Sequence, residues 1–335
     1  MSRAKMSSKE RVLAALNLEV PDRVPWIESF VAPQVCAALL GRPVETPAWA
    51  RVPPEVFEVL ALDNISFDLR APEFAERMMS DGMLMVGRGY ITGWDKLDII
   101  KLPDPHDERM YEPMKEYLKK HKRDKLAMVC MRAGPANAYL SIGMEPFSLM
   151  MYDDPKFIKH VIGIFADWHA AVMEHLNEMD VDMVRIGEDW AHKTGPFFSP
   201  KMIREFFIPP FKKVIERLKK PWIYHSDGNI MPYLDDVLRE LKPAGITNIE
   251  PGAMDIVQLK KDYGKRTCLI GNIDLNYTLT LGTPEEVERE VKERIEVIGK
   301  GGGYILASSN SITNYCKPEN VLAVSRTLEK YGYYE

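Results

Sequence analysis

Cysteine is scarce. Four thiols, Cys36, Cys130, Cys268 and Cys316, are scattered over 335 residues with no CxxC pair, which excludes a disulfide framework and a thiolate zinc finger and predicts a reducing, cytoplasmic setting. Long apolar runs are missing as well: nothing approaches the ~20 residues of a membrane span. The opening MSRAKMSSKERVLAALNLEVPDRVPW lacks the apolar block of a secretory signal. Positive charge is not in excess. With 44 Lys and Arg against 49 Asp and Glu, the net charge is -5, so no broad basic face is expected for nucleic acid. A GxSxG elbow, a Walker loop and a GxGxxG fingerprint are all absent, which argues against a serine hydrolase, a P-loop nucleotidase and a nicotinamide enzyme. No Gly/Ser linker, internal repeat or low-complexity tract divides the chain, and residues 1–335 read as a single domain.

What is present is alternation. Short apolar runs at 24–29, 64–70, 126–135, 182–190, 222–228, 245–251, 267–274 and 303–311 are separated by helical patterns at 154–179, 199–220, 231–241, 283–303 and 317–332. Continuous apolar runs fit strands covered on both faces. Ser199 before Pro200 and Thr283 before Pro284 are helix starts, and Pro209–Pro210 predicts a kink or break in the second helix. Eight strands with helices between them predict a (β/α)8 TIM barrel of the α/β class, with a doubly wound open sheet as the alternative. A helical extension is expected at the N-terminus, and MLMVGRGYITGW (83–94) reads as a small inserted hairpin. With 46% hydrophobic residues, such a chain buries roughly three quarters of its unfolded surface and needs no metal to hold its core.

In a parallel barrel the chemistry gathers at the C-terminal ends of the strands. There the sequence places Glu28 and Ser29, Asp68 and Arg70, Arg132, Glu188 and Asp189, His225 and Asp227, Glu250, Asn272 and Asp274, and Ser308 to Asn310. His225 and Asp227 lie two apart on one run, so their side chains share a face. Such an acid-rich mouth could bind a divalent metal, position a cationic group or perform acid–base work. His225, Glu188 and Glu250, on consecutive strands, would suit zinc with an open position, with Asp227 as a further ligand or as an orienting partner of His225. Plainer roles stand beside these. Asp227–Gly228 could make a turn, Glu188–Asp189 could cap a helix, Glu250 before Pro251 could shape a loop, and Asn272 and Asp274 could be turn residues. The glycines 301–303 read as a helix stop, since they precede a strand rather than follow one. The 19 methionines read mostly as core filler.

The stretches SKERVLAALNLEVPDRVPW, GEDW, SPKMIREFFIPPFKKVI, HSDGNI, GNID, GGGYILASSNSI and KPENV together resemble the uroporphyrinogen decarboxylase superfamily over nearly the whole chain. The resemblance implies a (β/α)8 barrel and one of two activities, porphyrinogen decarboxylation or cobalamin-linked methyl transfer. The decarboxylase branch carries an arginine-rich stretch after its first strand, where this chain reads WIESFVAPQV, and its histidine near the eighth strand aligns with Asn310. The coenzyme M methylating members bind zinc through His-x-Cys and a later Cys. Here those positions are His225, Asp227 and Asn310, so the histidine is kept and both thiolates are gone. The resemblance therefore implies a methyltransferase that removes a methyl group from a small donor, such as an aryl methyl ether, and passes it to a cobalamin (corrinoid) cofactor on a partner protein. His225, Asp227, Glu188 and Asp189 would be catalytic. Trp26, Glu28, Phe30, Trp190, Asn272, Asp274 and Asn310 would bind the donor. His225, Glu188 and Glu250 would hold zinc if a metal is used. The expected partners are a corrinoid protein and the methyl donor, with no nucleic acid and no membrane, and a homodimer is allowed for. A lyase acting on a small carboxylated substrate and a non-catalytic binding barrel are the competing readings.

Overall fold

The computed structural model describes residues 5–45, 47, 49–50, 52–80 and 83–334. Its strands are β1 (Asn64–Asp68), β2 (Ala75–Ser80), β3 (Met83–Gly89), β4 (Leu126–Met131), β5 (Met183–Gly187), β6 (Ala191–His192), β7 (Gly195–Pro196), β8 (Trp222–His225), β9 (Gly245–Thr247), β10 (Cys268–Ile270) and β11 (Tyr304–Ile305). Seven of them form one parallel sheet in the order β1-β4-β5-β8-β9-β10-β11. The segment around Trp26 bridges its two edges. Asp63 N donates to Trp26 O, while Ile27 N donates to Leu306 O and Leu306 N to Pro25 O. The first apolar run of the sequence thus supplies the eighth staves of a closed TIM-type barrel, although it is too irregular to count as a strand.

The helices are α1 (Ser8–Leu16), α2 (Pro33–Leu40), α3 (Pro54–Val59), α4 (Glu112–His121), α5 (Pro135–Ile142), α6 (Met144–Asp153), α7 (Pro155–Glu178), α8 (Pro200–Met202), α9 (Ile208–Ile215), α10 (Met231–Glu240), α11 (Ile256–Tyr263), α12 (Pro284–Arg294) and α13 (Pro318–Tyr331). Local chemistry explains their starts. Ser7 and Thr283 close capping boxes with Glu10 and Glu286, and Ser199 Oγ accepts the amide of Met202 at 3.3 Å. The Pro209–Pro210 pair does not break its helix. A π-helical turn, Ile203–Phe207, joins α8 to α9 and leaves the two prolines in the first turn of α9, where a missing N–H costs least. The small insertion is real but sits earlier than expected. Its strands are β2 and β3, paired antiparallel, so residues 83–89 find their partner upstream rather than within 83–94.

Strand alternation sorts the core into two layers. One set of side chains fills the barrel: Ile27, Met128, Cys130, Met183, Ile223, Ile270 and Ile305, with Val12, Ala15 and Leu16 of α1 packed against them. The other set, including Phe67, Val129, Val184, Ile186, Tyr224 and Tyr304, meets the helices. Because α1 contacts residues near the strand starts, it plugs the N-terminal end and leaves chemistry to the other end.

Candidate functional site

β5 and β8 pair in register Gly187↔His225. Side chains at 185, 187 and 189 therefore share a face with 225 and 227, and that face is the barrel interior. His225 is buried, and its Nε2 lies 3.5 Å from Asp189 Oδ1 and 3.5 Å from Asp227 Oδ1. Among the described residues, Asp189, His225 and Asp227 offer ligand atoms within 4.8 Å of one another, close enough to share an ion. The two carboxylates keep 37% and 41% of their side-chain surface exposed, so the group opens to solvent at the mouth.

Asp227 is held by amides. Its Oδ1 accepts from Asn248 Nδ2 at 2.7 Å and from Asn310 Nδ2 at 3.0 Å, and its own N–H donates to Asp189 Oδ1 at 3.2 Å. Burial by the barrel wall, then the nearby Asp189 charge, pushes the Asp227 carboxyl up to about 6, with Glu250 adding to the rise and the two amides opposing it. Asn310 also reaches Glu250 Oε1 at 3.4 Å, which puts Glu250 on the rim of the same cluster.

Glu188, one residue out of phase, points the other way. Its Oε1 accepts the Ala133 amide at 2.6 Å, and its Oε2 accepts the Ala136 amide at 2.7 Å and Trp190 Nε1 at 3.3 Å. It therefore ties β5 to the N-terminus of α5, and both oxygens are occupied. Burial pushes its carboxyl up to about 7, opposed by the Ala133 amide, Arg132, the Ala136 amide and Trp190. The ligand set His225, Glu188 and Glu250 is therefore not what the barrel assembles; Asp189 and Asp227 stand where Glu188 and Glu250 were expected.

The expected donor-binding residues divide. Asn310 lies in the cluster. Glu28 is buried, with Oε1 accepting Trp26 Nε1 at 2.9 Å and Ser308 N at 2.7 Å, and Oε2 accepting Ser308 Oγ at 2.7 Å. It lines, with Arg185, Thr247, Asn248, Ser308 and Asn310, a narrow cavity of about 20 Å³ inside the barrel. Trp26 is buried in the wall, and Phe30 packs half-buried against the outer core. Trp190 does not face a ligand: it is fully buried, with its ring 5.2 Å from Phe207 and 5.7 Å from Tyr224. Asn272 accepts from Arg294 Nε at 2.9 Å and lines a separate cavity of about 520 Å³ between residues 251–257 and α12. Asp274 makes a turn, accepting the amides of Asn276 and Tyr277 at 2.8 and 3.1 Å.

Two residues at the centre carry no motif. Asn248 follows β9 with φ 64°, a left-handed conformation that Asn tolerates better than most residues, and it delivers its amide between His225 and Asp227. Arg185 sits inside an apolar run, buried, with Nη2 donating to His225 Nδ1 at 2.5 Å. The strand parity set by His225 and Asp227 was the available signal for Arg185; none existed for Asn248.

Comparison with known proteins adds the following. A family model described as Uroporphyrinogen decarboxylase (URO-D) matches residues 86–331. The uroporphyrinogen decarboxylase of Hydrogenovibrio crunogenus is 23% identical over 217 residues, 62% of this chain and 57% of that protein. That of Chlorobaculum tepidum is 24% identical over 176 residues, 51% and 48%. The chain thus matches only about half the length of these curated relatives. A methyltransferase from Methanosarcina mazei superposes with a TM-score of 0.77 at 20% identity, covering 98% of this chain and 99% of that one. A B12-independent methionine synthase from Shewanella sp. W3-18-1 reaches 0.51 at 13% identity, covering 92% and 98%. Identities this low show a shared fold.

Proposed function

The chain belongs to the uroporphyrinogen decarboxylase family, and from that premise we propose that it is a single-domain, corrinoid-dependent methyltransferase that takes a methyl group from a small donor of the aryl methyl ether type. The observation that carries the reading is the pairing of an imidazole with a carboxyl of raised proton affinity at the open end of the barrel. The fold shared with a methyltransferase supports it.

An ether oxygen leaves poorly as an anion and must be protonated as its bond to the methyl carbon breaks. Asp227 Oδ1 already accepts two amide N–H groups, so a proton on this carboxyl resides on Oδ2. Asp189, Glu250 and Asn310 rim the same opening and would orient the donor. The corrinoid, carried by a partner protein, would supply the nucleophile that receives the methyl group; the exposed faces of Asp189 and Asp227 leave the mouth open to it. No step here uses zinc.

The test is methyl transfer from a methoxyarene to a reduced corrinoid carrier. Asp227→Asn and His225→Ala should each lower the rate by about 10²–10⁴-fold while leaving the circular dichroism unchanged. Carbon dioxide release from a carboxylated substrate, with no methyl transfer, would favour the lyase instead. That second reading draws on Arg132, whose Nε is buried without a hydrogen-bond partner and lies 3.3 Å from Glu73 Oε1, and on the names of the curated relatives.

A further inference from the structure

Arg185 has no part in the scheme above, yet its Nη2 lies 2.5 Å from His225 Nδ1. A guanidinium has five N–H donors, no acceptor and a permanent charge. With Arg185 Nη2 at 2.5 Å from Nδ1, that nitrogen must present its lone pair. A neutral imidazole then carries its proton on Nε2. Around Nε2 the carboxylates of Asp189 and Asp227 each stand 3.5 Å away and can accept that proton. Asn248 Nδ2, at 3.2 Å, is a nearer donor but already gives a hydrogen to Asp227 Oδ1 at 2.7 Å, and the shorter, charged contact from Arg185 decides which nitrogen keeps its lone pair. The backbone makes room for the arrangement. A Cβ on Gly187 would lie 3.3 Å from His225 Cδ2 and 3.5 Å from Arg185 Nη1, so glycine lets the two side chains lie side by side.

This geometry has a consequence for metal binding. A zinc ion between Asp189, His225 and Asp227 would need the Nε2 lone pair. The ring proton would move to Nδ1 and point at the guanidinium, donor against donor. Metal-ligating histidines instead place an acceptor, a carboxylate or a carbonyl, behind the second nitrogen. The residues present do not fit a zinc ion as they stand.

We propose that Arg185 is a positioning residue that locks His225 as the neutral Nε2–H tautomer, which turns a hydrogen-bond donor toward Asp189 and Asp227 and excludes metal from the cluster. The tautomer and the exclusion stand on geometry alone and do not depend on the methyltransferase reading.

The full-length protein labelled with ¹⁵N-histidine tests this by two-bond nitrogen–proton correlation at pH about 8, above the ordinary imidazole range, with the His225 signals assigned by their loss in His225→Ala. The wild type should show Nε2–H. In Arg185→Gln, whose side-chain oxygen can accept from Nδ1, the population should move toward Nδ1–H. In equilibrium dialysis against Zn²⁺, Arg185→Gln should bind about ten- to a hundredfold more tightly than wild type, and the gain should vanish in Arg185→Gln/His225→Ala. The proposal is overturned by Nδ1–H in the wild type, by wild-type zinc binding that His225→Ala abolishes, or by an Arg185→Gln variant with unchanged tautomer or zinc affinity. Should Arg185→Gln fail to fold, the two wild-type measurements decide the matter. Absence of methyl transfer together with an Nε2–H tautomer would sink the reaction and leave the role of Arg185 standing.

Discussion

At the scale of single residues, Glu28 shows how burial and hydrogen bonding oppose each other. Burial raises its carboxyl to about 7, against the Ser308 hydroxyl, the Trp26 indole and the Ser308 amide. When protonated, Oε1 still accepts from Trp26 and the Ser308 amide, and Oε2 donates to Ser308 Oγ. The folded chain therefore binds a proton that the unfolded chain, with an ordinary Glu near 4.5, has already lost. The stabilisation is fully present below 4.5 and is lost as pH rises through about 7, at about 1.4 kcal/mol per pH unit. Glu28→Gln keeps the same pattern with an amide in place of the acid. In urea titrations its stability should fall less steeply than wild type's across this window, by about 1 kcal/mol per pH unit. Parallel curves would mean that Glu28 is ionised in the folded protein at acid pH. His169 acts with the opposite sign. Burial, then Arg132 and Arg70, depresses it to about 3, so its contribution is complete above 6.5 and fades as pH falls toward 3. His169→Gln, which can still donate to Asn137 Oδ1, should flatten that acid limb in the same titrations.

At the scale of elements, Glu188 matters as a strut between β5 and α5. Both oxygens accept backbone N–H groups, so Glu188→Gln would turn an amide NH₂ toward one of those donors. The expected cost is about 1–3 kcal/mol, with faster hydrogen exchange at the Ala133 and Ala136 amides. Retained protection would show that another group caps α5. Glu188 also shows where reading the chain from its residues stops. Apolar runs and caps such as Ser199 and Thr283 located the strands of the barrel and about half of the helices, because both signals are local. Glu188 and Asp189 are equally polar neighbours, and only register decides which of them enters the barrel. Once His225 and Asp227 are taken as inward, the Gly187↔His225 pairing sends Asp189 in and Glu188 out, and it reveals Arg185, which the run DMVRIGEDW hides. Asn248 could not be found this way, and Ser308, although its strand end places it at the mouth, could not be paired with Glu28. Their bonds to Asp227 and Glu28 span 21 and 280 residues and depend on loop paths that no periodicity encodes.

At the scale of the whole molecule, the barrel keeps stability and chemistry at opposite ends. The N-terminal end is closed by α1 and by a buried ionic knot. Arg11 reaches Asp22 and Asp63, each at 2.7 Å, and Asp63 Oδ2 accepts the amide of Trp26 at 2.8 Å. The knot thus joins the plug to β1 and to the segment that closes the sheet. Burial pushes the Asp22 carboxyl up, but Arg11 and the amides of Met6 and Lys5 more than offset this and leave it at about 2. Arg11→Met fills the space without the charge and leaves Asp63, fully buried, with the more distant Arg23 at 3.1 Å as its one cation among the described residues. Stranding one member of a buried ion cluster costs about 3–5 kcal/mol, so the urea midpoint should drop sharply while the slope of the transition holds. Asp63→Asn in the same chain removes the stranded charge, keeps an oxygen for the Trp26 amide, and should recover part of the loss. The mouth should not respond: under conditions where Arg11→Met stays folded, the His225 tautomer should match wild type. A changed tautomer would mean that the two ends are coupled through the strands, and that the acid–imidazole cluster depends on how tightly the barrel is closed below it.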